Sequence, residues 1–154
     1  MNKNEFKNLV VEIAKEACVL KDKHTGEKLA TINYACVFAQ SDDEFSALAE
    51  TTKQLGNVIK ETATGPIFRI RPLCTVSGKL NLLKIRRPDT TRPERGDADF
   101  TVGNYLDFKK KYARKIFFKL LKYDNFEMIE LKDPEFNVRA YFSDPTLDEQ
   151  LKIK

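Results

Sequence analysis

The stretch PDTTRPERGDADFTV, residues 88–102, separates two halves of the chain that show the same order of predicted elements. Its first part is polar and contains two prolines and a glycine, a composition that predicts a linker. Its last part, residues 97–102, alternates polar and apolar residues with the period of two that is typical of a strand. The sequence therefore predicts a duplicated unit, with residues 89–96 as the linker between the copies.

The first copy is predicted to be a βαβββ module over residues 30–88. Residues 31–38 alternate as a strand does, and the alternation places four residues on one face: Ile32, Tyr34, Cys36 and Phe38. A helix is expected after Ser41 and Glu44, which have the spacing of a capping box, and Gly56 is expected to end it as the C′ glycine. Turn residues then separate three further predicted strands, at residues 58–62, 67–71 and 80–87.

The second copy, residues 97–142, repeats this order more tightly. Asn104 follows the strand at residues 97–102 and is a suitable cap for a short helix. Turns that contain aspartate or proline then separate three predicted strands, at residues 116–122, 126–131 and 138–142. The order strand, helix and three strands is thus predicted twice.

Length and composition indicate one folded unit. The chain has 154 residues, of which 42% are hydrophobic and 32% charged, enough to bury one core but not two independent ones. The flanking segments, residues 1–29 and 143–154, predict an amphipathic helix at residues 4–20 and a short C-terminal helix. No run of about 20 apolar residues and no signal-peptide pattern is present, so we expect a cytoplasmic protein that does not enter a membrane.

Cysteine and histidine usage narrows the kinds of metal site. Cys18, Cys36 and Cys74 are odd in number and form no CxxC pattern, so we expect small buried side chains rather than disulfides or a thiolate zinc site. The single histidine, His24, falls in a predicted loop at residues 21–28, where a solvated side chain is expected. Because one imidazole cannot build a multi-histidine zinc site, any metal would need carboxylate ligands, as Mg²⁺ and Mn²⁺ prefer.

Positive charge is concentrated before and within the linker. Residues 67–95 carry eight Lys and Arg residues and two acidic residues, a net charge of +6, whereas the whole chain carries +4. Such a concentration predicts an anionic partner. A small anionic molecule is the partner that we expect first.

The doubled βαβββ order, in a chain of this length, resembles the vicinal oxygen chelate superfamily, which includes glyoxalase I, extradiol dioxygenases and fosfomycin-resistance proteins. Residues 131–138, LKDPEFNV, are similar to the turn that often precedes the last strand of that family. Within the superfamily, the layout is most similar to the YecM-type proteins, on three segments besides the leading helix: residues 65–70, 87–88 and 140–151. The resemblance implies an α+β fold of tandem βαβββ modules in a paired, cup-shaped mixed sheet with an extra N-terminal helix.

The resemblance also implies metal ligands, and this chain departs from them. Where the YecM-type pattern has a histidine on the first strand this chain has Asn33, and where it has a glutamate on the fourth strand this chain has Lys84. Near the second histidine of the pattern it has Asp97 and Asp99. Because a protonated lysine offers no lone pair and repels a cation, we expect the inherited metal site to be largely replaced.

The first functional hypothesis is a binding protein for a small anionic, oxygen-rich ligand. The expected ligand-binding residues lie on strands of the two modules: Asn33, Lys84, Arg86, Arg139 and Tyr141. In the implied fold each module's last strand lies beside its first, so Lys84 or Arg86 would neighbour Asn33. Arg139 and Tyr141 would likewise neighbour the aspartates, and charge pairing across the strands is the structural alternative to ligand binding.

The second hypothesis is a divalent-metal-dependent lyase or isomerase. In it, Asp97, Asp99 and Glu130 hold Mg²⁺ or Mn²⁺, and the metal polarises a carbonyl or enolate as a Lewis acid. Whether the protein is an enzyme stays open at the level of sequence, since a fold resemblance does not assign a reaction.

The third hypothesis is a non-catalytic interaction or nucleic-acid accessory protein that uses the basic linker. The cations concerned are Arg86, Arg87, Arg92 and Arg95. No aromatic residue is interleaved with them and no recognition helix adjoins them, so nucleic acid is not the expected partner. Assembly as a homodimer is a further hypothesis.

Overall fold

Two βαβββ modules share one eight-stranded mixed sheet in the computed structural model, which describes residues 1–153. The helices are α1 (Lys3–His24), α2 (Asp42–Lys53), α3 (Tyr105–Tyr112) and α4 (Leu147–Gln150). The strands of the first module are β1 (Thr31–Phe38), β2 (Gly56–Thr62), β3 (Gly65–Thr75) and β4 (Gly78–Arg86). Those of the second module are β5 (Gly96–Thr101), β6 (Phe118–Lys122), β7 (Glu127–Leu131) and β8 (Val138–Asp144). The expected α+β fold with an N-terminal helix is confirmed.

The strand order, β2-β3-β4-β1-β5-β8-β7-β6, reflects the duplication. In each module the last strand lies parallel to the first, as β4 does to β1 and β8 does to β5. The two first strands, β1 and β5, pair antiparallel at the centre of the sheet and join the modules. The implied neighbourhood of first and last strands is therefore confirmed, and one sheet face runs unbroken through both modules.

Helix α1 covers one face of this sheet. The apolar residues on its inner face are almost fully buried, among them Phe6, Val10 and Leu20, and they belong to one core with side chains from both modules. The helix runs four residues beyond the predicted end at residue 20 because Lys21, fully buried, donates to Asp22 and to the Glu27 carbonyl. None of the helices in the described chain, α1 included, is long and apolar enough to cross a membrane.

Strand β1 departs from the predicted alternation at one residue. The register with β5 shifts between Ile32 and Tyr34, so Asn33 is the extra residue of a bulge. As a result Ile32 lies in the core with Ala35 and Val37, whereas Tyr34 lies on the opposite face of the sheet. The prediction that Ile32 shares a face with Tyr34 was therefore wrong, because a bulge reverses the facing of all residues beyond it.

Gly56 does not end a helix as expected. Helix α2 ends at Lys53 with Gln54 as its cap, and Gly56 is the first residue of β2. A Cβ at Gly56 would lie 2.0 Å from the carbonyl oxygen of Arg69 on β3. The glycine thus allows β2 and β3 to approach, and the C′ prediction was wrong.

His24 is not a solvated loop residue. It is the last residue of α1, its side chain is 16% exposed, and its Nε2 lies 2.9 Å from Asp133 Oδ2. Lys23 binds the same carboxylate. The pKa of the Asp133 carboxyl is lowered by a hydrogen bond from a backbone N–H and by the contacts with both side chains. The end of α1 is therefore fastened to the turn before β8.

The cysteines occupy three different environments. Cys36 is buried on β1, Cys18 is partly buried and Cys74 is exposed, and all three are free thiols. The expectation of small buried side chains is thus met by Cys36 alone among the three.

Candidate functional site

The face of the sheet opposite α1 carries an open cavity of about 320 Å³ that we call the cup cavity. Its polar lining includes three cations, two carboxyl groups and three hydroxyl groups: Lys84, Arg86, Arg92, Asp97, Asp99, Tyr34, Thr64 and Tyr141. Its apolar wall comes from the far end of the second module: Leu121, Tyr123, Phe126 and Met128. Residues of both modules thus face one concavity.

Strand register arranges the polar residues in two rows across the sheet. In the first row, Cys36 of β1 pairs with Lys84 of β4 on one side and with Asp97 of β5 on the other. In the second row, Asp99 of β5 pairs with Tyr34 of β1 and with Tyr141 of β8. Because paired residues project to the same side of a sheet, each row faces the cup cavity.

The three cations lack matched carboxylate partners. Lys84 Nζ donates to Thr64 Oγ1 at 2.5 Å, and Arg92 Nη1 donates to the Tyr141 hydroxyl at 3.1 Å. Arg86 reaches the Asp89 carboxylate at 3.5 Å, and its Nε is buried without a hydrogen-bond partner in the described part of the chain. Arg92 is 4.0 Å from the same Asp89. The half-buried Asp89 carboxylate is therefore the shared and distant partner of two guanidinium groups, and Lys84 donates only to a hydroxyl group.

Burial changes the protonation of the lysine and of the aspartates in opposite directions. Burial lowers the pKa of the Lys84 ammonium, and the nearby guanidinium groups act in the same direction. Burial raises the pKa of Asp97 to about 7, although Arg92, Lys84 and Arg86 oppose the rise. Within residues 1–153 the Asp97 side chain forms no hydrogen bond or ion pair. No direct contact therefore stabilises the charged form of this carboxyl group.

Asp99 differs from Asp97 in being well hydrogen-bonded. It accepts from the Ser143 hydroxyl and, at 3.3 Å, from the Ser143 N–H, and Asn33 Nδ2 donates to it at 3.2 Å. Burial raises its pKa to about 6, against the effect of these donors. Asp99 is thus a fixed structural carboxyl on the cavity wall.

Arg139 lies outside the cup cavity and is fully paired. It is 5% exposed, and it donates to Glu94 at 3.0 Å, to Glu130 at 3.2 Å and to the Thr91 carbonyl at 2.9 Å. Tyr141 donates to the same Glu130 carboxylate at 2.7 Å. For Arg139 the structure therefore shows the alternative of charge pairing, and the guanidinium holds the linker against β7 and β8.

Asn33 is also separated from the expected cluster. Register places Cys36, and not Asn33, beside Lys84. The Asn33 amide instead donates to Asp99 and, at 2.9 Å, to Thr101, and it lines a different pocket beside α4. Of the five predicted ligand-binding residues, the structure thus brings three together in the cup cavity: Lys84, Arg86 and Tyr141.

The carboxylates predicted for a metal do not converge. Glu130 is bound by Arg139 and Tyr141, and Asp99 is bound by Ser143 and Asn33. Asp97 faces three cations across the cavity. Among residues 1–153 no group of three or more His, Cys, Asp or Glu side chains could hold a metal ion. This donor set does not fit the divalent metal that the family resemblance implies.

The basic linker is folded into the molecule and does not form a free stripe. Arg95 pairs with Glu44 at 2.6 Å, and the Arg87 guanidinium lies 4.5 Å from the centre of the Phe45 ring. Arg92 enters the cup cavity, which sequence reasoning missed because the residue falls in a polar linker with no strand alternation. Thr64 was missed because it lies in the turn between β2 and β3, where no strand alternation predicts which way a side chain faces.

Comparison with known proteins gives a likeness of fold. No protein-family model matches the chain, and no curated protein matches it. A structural-genomics protein, EC4020, superposes with a TM-score of 0.75 over 97% of this chain and 91% of its own, at 8% sequence identity. Glyoxalase I from Zea mays superposes with a TM-score of 0.43 over 75% of this chain and 43% of its own, at 18% identity. The chain shares its fold with EC4020, and this likeness assigns no ligand.

Proposed function

We propose that this protein binds a small, oxygen-rich anion in the cup cavity, on a fold of the vicinal oxygen chelate type from which the metal ligands have been lost. Within that superfamily we place it beside the YecM-type proteins, on the layout of the leading helix and the two modules. The observation that carries the proposal is the set of three cations, Lys84, Arg86 and Arg92, which face one cavity without matched carboxylates.

Electrostatics favours an anion at this position. With Asp97 close to half protonated at neutral pH, the three cations outnumber the negative charges of the cavity wall. The groups are partly buried, so salt screens them less than it screens surface charges. A carboxylate or phosphate could accept paired hydrogen bonds from Arg86 or Arg92, including the unpartnered Nε of Arg86.

The size and the apolar wall of the cavity limit the ligand. A volume of about 320 Å³ is at the lower end of the range for small-molecule pockets, roughly 300–1,000 Å³. Tyr123 and Phe126 stack on each other, with ring centres 4.7 Å apart, and close one side. A compact organic acid with one short apolar part fits this environment better than a polymer does.

The test is calorimetric titration of oxalate, pyruvate, citrate and inorganic phosphate into the wild-type protein and two charge-neutral variants. We expect at least one anion to bind, and we expect Arg86→Gln or Lys84→Met to weaken it about tenfold or more, since a charged hydrogen bond contributes about 1.5–3 kcal/mol. Lys79→Met is the matched control, because Lys79 is exposed on the same strand, β4.

Two outcomes would contradict the proposal. One is that no anion binds, and the other is that Lys79→Met weakens binding as much as the cavity variants do. Thermal unfolding with EDTA and with added Mg²⁺ or Mn²⁺ tests the metal-dependent alternative in parallel. A metal-induced rise in melting temperature that Asp97→Asn abolishes would favour that alternative instead.

A further inference from the structure

We propose that Lys84 forms a covalent imine with the carbonyl carbon of a 2-oxo acid bound in the cup cavity. The inference rests on the anion-binding function proposed above and specifies the class of ligand and one reaction step. A 2-oxo acid combines the carboxylate that the arginines would bind with an adjacent carbonyl that an amine can attack.

The environment of the Lys84 amine sets it apart from lysines that have a structural role. Its Nζ faces the cup cavity, and its hydrogen-bond partner is the Thr64 hydroxyl; no carboxylate lies within ion-pair distance of it in the described residues. Lys21, which is fully buried, is 2.7 Å from Asp22, and Lys109 is 2.9 Å from Glu127. A half-buried amine without a counter-ion is therefore held at the wall of a cavity.

Burial and the two guanidinium groups favour the neutral amine. Both effects lower the pKa of Lys84, although Asp97 opposes them, and a neutral amine carries the lone pair that a nucleophile needs. Desolvation of a lysine beside another cation is a recognised way to activate it for imine formation. Lys84 thus contributes to anion binding in its protonated form and supplies the nucleophile in its neutral form.

The positions of the arginines suit the carboxylate of such a ligand. Arg86 is two residues beyond Lys84 on β4, so both side chains leave the same face of the strand, with Cα atoms about 7 Å apart. Arg92 approaches the cavity from the linker and is fixed by Tyr141. A guanidinium can hold the carboxylate while the neighbouring carbonyl carbon lies within reach of Nζ.

The reaction step balances without any further reactant. The Nζ lone pair attacks the carbonyl carbon, the C=O electron pair moves to oxygen, and proton transfer from nitrogen to oxygen gives the carbinolamine. Protonation of its hydroxyl group releases water, and the nitrogen electron pair forms the C=N bond. Asp97, across Cys36 in the same row, lines the cavity as the carboxyl group that can supply this proton.

The test is reductive trapping. The wild-type protein is incubated with pyruvate or 2-oxoglutarate and sodium cyanoborohydride, and the product is analysed by intact mass and peptide mapping. We expect one ligand per chain, on Lys84, formed faster than any adduct at exposed Lys79, because a lowered pKa leaves a larger fraction of the amine neutral. Lys84→Arg removes this adduct, whereas Lys79→Arg leaves it.

The outcomes separate this inference from the function on which it rests. If calorimetry shows that an anion binds but trapping labels Lys84 no faster than exposed lysines, the imine is excluded and anion binding stands. If no anion binds and no adduct forms, both proposals fall. Peptide mapping of the wild-type protein locates the adduct without relying on the fold of any variant, and circular dichroism checks that Lys84→Arg is folded.

Discussion

For the single residue Asp97, the position in the fold determines the chemical role more than the residue type does. Its sequence neighbourhood, two acids on one face of a strand, suggested metal ligands as one of the hypotheses. In the structure it is 8% exposed, faces three cations at the cavity and forms no hydrogen bond in the described chain. Burial raises its pKa to about 7, so near neutral pH the group can give or take a proton.

This raised pKa predicts that stability falls as pH rises. The folded state holds the Asp97 proton up to about pH 7, whereas the unfolded chain releases it near pH 4, so ionisation disfavours folding between those values. Between pH 5 and pH 8 we expect Asp97 to account for a loss of roughly 2 kcal/mol in the free energy of unfolding. Urea denaturation at pH 5 and at pH 8 measures this difference in the free energy of unfolding.

In Asp97→Asn we expect this part of the pH-dependent loss of stability to disappear, because an amide stays neutral throughout the pH range. The variant keeps the smaller decline that comes from Asp99, whose pKa is raised to about 6. Asp124→Asn, in an exposed turn, serves as the control. An equal pH dependence in the wild type and in Asp97→Asn would show that Asp97 ionises in the folded protein as it does in water.

At the scale of elements, the joint between the modules depends on the start of β5. A Cβ at Gly96 would lie 2.3 Å from the Cys36 carbonyl oxygen on β1 and 3.0 Å from Ile13 of α1. Strand β1, strand β5 and helix α1 therefore meet where only a glycine fits. Backbone on one side and a buried side chain on the other leave little room to adjust.

We accordingly expect Gly96→Ala to destabilise the protein by about 1–3 kcal/mol, the usual effect of overpacking a buried site. Gly103→Ala is the matched control, since a Cβ there has no neighbour within 4 Å, and its effect should stay within about 0.5 kcal/mol. Chemical denaturation compares the two variants. Equal free energies of unfolding for both would mean that β5 can move away from β1 at little cost.

At the scale of the whole molecule, the two modules are predicted to unfold together. They share one sheet through the pairing of β1 with β5, and α1 packs on strands of both modules, β1 and β3 as well as β5 and β8. Separation of the modules would expose this common core. Small domains with one core usually unfold in a single cooperative step.

Native-state hydrogen exchange in increasing urea measures this cooperativity. We expect β1, β4, β5 and β8 to be the most protected strands and to exchange at one common free energy. The edge strands, β2 and β6, should exchange at lower free energies, since each has a strand on one side only within the described sheet. Exchange of β1 and β4 at a free energy clearly different from that of β5 and β8 would show that the modules unfold separately.

The repeated order of strands and helices, and much of one sheet face, could be predicted from the amino-acid sequence. Alternation and turn chemistry depend on residues a few positions apart. The predicted ends of the strands therefore lie within a few residues of the observed ends. The same alternation, with the family resemblance, identified three residues that do face the cup cavity: Lys84, Arg86 and Tyr141. The end of helix α1 was predicted four residues too early, because a buried lysine such as Lys21 does not fit the amphipathic pattern.

Which charged side chains form ion pairs, and which face the cavity without a matched partner, depends on the folded structure. Arg139 meets Glu94, 45 positions away, and Arg92 meets Tyr141, 49 positions away. The bulge that turns Asn33 away from Lys84 likewise shows only in the register between β1 and β5. Ion pairing depends on the distances between residues that are remote in the chain. Local sequence patterns do not predict those distances.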